Sequence, residues 1–130
     1  MSLREVQSAV IGYLREKVGV YKVGDVFPQD NAIKDYIHLK DVRIADDSNK
    51  SHKRDTLSFT FHFFSRDTNT FLDLLKALQG LEEAELIMEG YTLDNAEITA
   101  THSYVDITVE DHVRHGIVMI DFTVTKNKLN

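Results

Sequence analysis

The chain has 130 residues, a formal charge of −6 and no cysteine. That length fits one domain able to bury a core without staples. The composition excludes disulfides, thiol catalysis and cysteine-ligated zinc, and the acidic balance disfavours a surface that coats nucleic acid. No apolar stretch approaches the roughly 20 residues that span a bilayer. The start, Met-Ser-Leu-Arg-Glu, shows no hydrophobic region of a signal peptide. The expectation is a protein kept inside the cell that makes it, or packed into a particle assembled there.

The first element is a helix. Ser2 and Glu5 form a capping box, and Val6, Ala9, Val10, Tyr13 and Leu14 make one apolar stripe. Gly19 follows as a left-handed cap. In the next segment Gly24 and the single proline, Pro28, break helical periodicity, and "QDN" is turn chemistry. Ile37, Leu39, Val42 and Ile44 then predict a strand whose alternation slips by one near Lys40 and Asp41, as a bulge would cause. Residues 45–55, "ADDSNKSHKRD", carry no aliphatic side chain beyond Ala45 and are expected to form a long mobile loop, acidic first and basic later.

Leu57, Phe59, Phe61 and Phe63 share one face of the following strand, with Ser58, Thr60 and His62 on the other. Asp67 or Thr68 caps the next helix, whose stripe is Phe71, Leu74, Leu75 and Leu78, and Gly80 ends it. "AELIMEGYTL" is a short extended segment with a turn at Glu89 and Gly90. Two long strands close the chain, 96–109 and 117–124, joined by "EDHVRHG" as a hairpin loop. The apolar phase of the first changes between Ala100 and Val105, which suggests another bulge. The order gives an α+β fold, a mostly antiparallel sheet with two amphipathic helices packed against it and a long C-terminal β-hairpin, in a single domain over 1–130.

Catalytic chemistry finds little support. His112 and His115 are three apart but fall in a predicted loop, whereas metal sites of the His-Glu-x-x-His type need one helix face. His62 and His102 lie on different strands and can be sheet neighbours; a partly covered histidine with a hydroxyl partner is the expected arrangement. No serine sits in a glycine-framed elbow, the glycines are scattered singly, and Glu82, Glu83 and Glu85 are solvated charge. No catalytic residue, metal ligand or cofactor is therefore expected. "KSHKR" (50–54) is the one basic cluster, flanked by Asp46, Asp47 and Asp55. A strand of 14 residues exceeds what a small monomer needs and offers an edge to a neighbouring subunit.

With this order in hand, the chain resembles the tail completion family of long-tailed bacteriophages, the tail-to-head joining proteins or tail terminators. The resemblance covers nearly the whole length. It rests on "VIGYLREKVG", "GDVFPQDN", "YIHLKDVRI", the unit "DTLSFTFHFFSRDTNTFLDLLKALQGL" and the closing "GIVMIDFTV". It implies a virion protein assembled in the host cytoplasm that caps the head-proximal end of the tail tube. It further implies a hexameric ring of copies, monomeric when free, that meets the tail tube protein and the head connector or stopper while genomic DNA passes through without specific binding. It implies no enzymatic activity, no cofactor and no membrane. The candidate docking loop comprises Asp46, Asp47, Lys50, His52, Lys53 and Arg54, with the basic cluster against an acidic partner. The candidate interface hairpin loop comprises Asp111, His112, Arg114 and His115. The alternatives are another neck or minor tail protein, or a small α+β enzyme or ligand-binding domain.

Overall fold

The computed structural model describes residues 3–26, 35–46, 54–106 and 113–127, excepting the side chains of residues 46 and 104–106. Helix α1 spans Leu3–Val18 and helix α2 spans Thr68–Gln79. The strands are β1 (Val23–Gly24), β2 (Tyr36–Asp46), β3 (Arg54–Ser65), β4 (Tyr91–Asp106) and β5 (Val113–Lys126). They form one sheet in the order β1-β2-β3-β5-β4. The two-residue β1 pairs with β2 in parallel, and every other pairing is antiparallel. This is the expected α+β architecture.

Both helices pack on one face of the sheet because the sequence gives each a single apolar stripe. Val6, Val10, Ile11 and Leu14 of α1 are buried, as are Phe71, Leu74, Ala77 and Leu78 of α2. They join Leu57, Phe59, Phe61 and Phe63 of β3 and Val118, Ile120, Phe122 and Val124 of β5 in one core. β3 is the middle strand, and its strict alternation puts every second side chain into that core. Phe63 stacks on Phe71 of α2, with ring centres 4.7 Å apart and planes at 25°. That contact fixes α2 over the strand from which it emerges.

The turn between β3 and α2 is held by side-chain bonds. Asp67 is the N-cap; its carboxylate accepts from the Thr70 N–H at 2.9 Å and from the Thr70 hydroxyl at 2.8 Å. Those two donors hold the Asp67 carboxyl below its usual value. Ser65 is fully buried and accepts from the Asp67 N–H at 3.1 Å while its hydroxyl donates to the Asp35 carboxylate. This serine, whose neighbours in sequence carry the charge, ties β3, the helix entry and the start of β2 together.

The bulge expected near Lys40 is present as a register shift between Leu39 and Asp41. β4 carries two shifts, at Leu93/Asn95 and Ile98/Ala100. Other boundaries moved. β4 begins at Tyr91 and β5 at Val113, both earlier than the apolar periodicity indicates. Gly19 takes a positive φ of 117°, but with ψ at 146° it is extended beyond the left-handed helical region. Gly80 is not a left-handed cap: its φ of −62° is right-handed and the chain runs on into a single 3-10 turn. Its glycine identity answers a close approach, since a Cβ there would lie 2.7 Å from the Tyr13 hydroxyl of α1.

Candidate assembly surface

The expected loop over 45–55 is shorter than its composition suggests. β2 extends through Ala45 to Asp46 and β3 already begins at Arg54, with Ala45 opposite Thr56 and Asp46 opposite Asp55. Asp47, Lys50, His52 and Lys53 lie outside the described residues. Arg54 belongs to the sheet, opposite Thr125 of β5, with its Nε 3.9 Å from a carboxylate oxygen of Asp94 on β4. The same Asp94 oxygen accepts from the Thr125 hydroxyl. Arg54 is thus anchored at the end of the sheet, because a polar residue beside a strand still completes the backbone ladder.

The hairpin prediction is corrected in the same way. Asp111 and His112 lie outside the described residues, but Arg114 and His115 are strand residues of β5, paired with Ser65 and Phe64. The Arg114 guanidinium lies 5.8 Å from the Phe71 ring centre, a cation–π contact that covers the first turn of α2. His115 points to the opposite side of the sheet.

That opposite side is not covered by a helix among the described residues. β3 presents Thr60, His62 and Phe64 there, half-buried by their own neighbours in the sheet. Register lines up one row across four strands: His38 of β2, His62 of β3, Ile117 of β5 and His102 of β4. His62 and His102 are therefore on one face but separated by Ile117, and a hydroxyl is not the partner of His62. Its Nδ1 lies 2.8 Å from Nε2 of His115, two residues along β5 from Ile117, with ring centres 5.0 Å apart. Phe64 flanks the pair, its ring centre 4.5 Å from that of His115. Burial first, then the charges of His115, Lys40 and His38, push the His62 imidazolium down to about 4. The ring is neutral at physiological pH. Met119 continues the apolar stripe of β5 below Ile117 and is 39% exposed.

The second exposed feature is the edge of β4, which runs for 16 residues along the outside of the sheet. Glu82, expected to be solvated, accepts from the Ile98 N–H at 2.9 Å and so blocks this edge at its second bulge. Thr99 at the same bulge stays exposed, its hydroxyl donating to the Met119 carbonyl at 3.3 Å. The remaining length keeps the unpaired backbone groups of an edge strand.

A cleft of about 660 Å³ lies between α1 and β1, lined by Leu3, Gln7, Ile11, Arg15 and Asp25 among others. Its polar groups serve the fold. Gln7 donates to Asp25 at 3.5 Å, and the Arg15 Nε donates to the Val23 carbonyl at 3.2 Å. Beside it the Tyr36 hydroxyl donates to the Val26 carbonyl at 2.9 Å, and burial raises the Tyr36 phenol above its ordinary value. Among the described residues no three His, Asp or Glu side chains converge as metal ligands would, and no helix is long and apolar enough to cross a membrane.

The chain's similarity to solved structures matches this geometry. It superimposes on a chain from the structure described as the virion of native gene transfer agent (GTA) particle, with a TM-score of 0.75 and 17% sequence identity. The alignment covers 95% of this chain and 96% of the other. The two chains share a fold. No protein-family model matches the sequence, and no curated protein matches it.

Proposed function

We propose that this chain is a structural virion protein that closes the head-proximal end of a phage-like tail tube and joins it to the head connector as a ring of identical copies. The observation that carries the reading is the fold shared with a virion chain over nearly the whole of both. The surfaces are consistent with it. A 16-residue edge strand and a sheet face that no helix covers among the described residues leave each copy two broad areas for neighbours, and a head-to-tail contact that closes by rotation makes a ring. The net charge of −6 suits a lumen through which DNA must pass without being held. The partners are further copies of the chain, the tail tube protein and the connector or stopper. The role requires neither catalysis nor a cofactor.

The basic residues between β2 and β3 are assigned to an acidic partner surface. Reversing two of them, Lys50→Glu with Lys53→Glu, is expected to leave the far-ultraviolet circular dichroism and melting of the free protein unchanged. Co-sedimentation with isolated tails, or with the purified connector, should weaken on the order of tenfold, since like charges would then face each other. Full-strength binding of the reversed variant to both partners would remove this segment from the interface.

A further inference from the structure

We propose that the His62–His115 pair is an acid-sensitive latch that fastens the turn-proximal end of the β4–β5 hairpin to the central strand β3. The pair joins the two strands side chain to side chain at one end of the ladder, just before the final pairings Phe64 with His115 and Ser65 with Arg114. Its 2.8 Å bond requires one ring nitrogen to donate and the facing nitrogen to keep a lone pair. When both rings are imidazolium, two N–H groups face each other and the bond is lost.

The surroundings make that state costly. From β2, the groups facing His62 are His38, its direct cross-strand partner, and Lys40; from β5, His115. From β4, His102 sits one strand further along the same row, beyond Ile117. A proton taken up by His62 meets burial first and then the charges of His115, Lys40 and His38, each of which opposes it. The Phe64 ring flanks His115, with centres 4.5 Å apart and planes tilted at 43°.

The sign follows from linkage. The folded protein holds His62 neutral down to about 4, whereas an unfolded chain takes up the proton near its ordinary 6.5. The unfolded or locally opened state therefore binds more protons, and stability rises with pH. The latch is fully engaged above about 6.5, loosens as pH falls through the interval, and has lost its contribution below about 4. The affected region is local: the turn-proximal end of the hairpin loosens, while the opposite end of β5, around Phe122 and Val124, has no histidine beside it among the residues paired with it.

The test uses the intact protein and does not depend on its role in the virion. Imidazole resonances of His62 and His115 are followed by NMR from pH 7.5 to 4, together with amide exchange corrected for the intrinsic effect of pH. The expected result is a His62 midpoint well below the ordinary value. Protection at Arg114 to Ile117 should fall several-fold more between pH 7 and 4.5 than protection at Phe122 to Val124. In His62→Gln, which can hydrogen-bond but does not titrate, that local difference should shrink. A His62 midpoint near 6.5 in the parent protein would overturn the latch, as would an unchanged local loss in His62→Gln. If that variant does not fold, the parent's own titration and exchange decide the matter.

Discussion

Replacing Phe59 with alanine is expected to cost about 3–5 kcal/mol of stability, a large part of what a domain of this size possesses. Phe59 is fully buried at the middle of the central strand. Its ring meets Phe122 edge-on at 5.2 Å and 71° and lies 6.0 Å from Phe61. Val42 and Ile120 flank it on β2 and β5. Deleting the ring removes apolar contacts on both sides and leaves a cavity that rigid strands cannot close. Urea denaturation measures the loss directly. Thr60→Ala, one residue away on the face opposite the two helices, should stay within about 0.5 kcal/mol of the parent. Equal losses at the two positions would mean that the faces of β3 are assigned wrongly.

Gly116→Ala is the second large effect, expected to destabilise by about 2–3 kcal/mol. Gly116 is opposite Phe63 in the β3–β5 ladder, and the far end of the Phe63 ring occupies the space a Cβ would take. A Cβ built there would run into three atoms of that ring, far inside van der Waals contact. The ring cannot swing aside, because it is fully buried and stacked on Phe71. Shrinking the neighbour should relieve the clash, so Phe63→Leu combined with Gly116→Ala is expected to lose less than the sum of the single losses. Thermal melts of the four proteins form the cycle. Simple additivity would show that the two sites do not touch.

These two positions illustrate which parts of the structure were legible in the sequence. The role of Phe59 is local information: four apolar residues at alternate positions define a buried strand face wherever the strand lies. The stripe of α2 and the slip near Lys40 were legible for the same reason, as changes of period within one segment. Gly116 was not, because nothing beside it in sequence shows that Phe63 lies across it. The pairing of β3 with β5 joins residues about 50 apart and is fixed by the whole register. The His62–His115 bond belongs to that same class, as does the use of Glu82 to cap the edge of β4. Strand ends were obscured where polar residues complete a ladder, at Arg54, at Arg114 and His115, and at Asp94 within the first bulge of β4. Of the candidate interface residues, Asp46, Arg54, Arg114 and His115 therefore became parts of the sheet.

The central claim, a structural role at the junction of tail and head, is tested most directly by imaging. Particles produced with and without this chain are compared by negative-stain electron microscopy, and the parent gene supplied in trans serves as control. The account predicts free heads and unjoined tails of irregular length when the chain is missing, with joining restored by complementation. Tails of normal length attached to heads in its absence would contradict it.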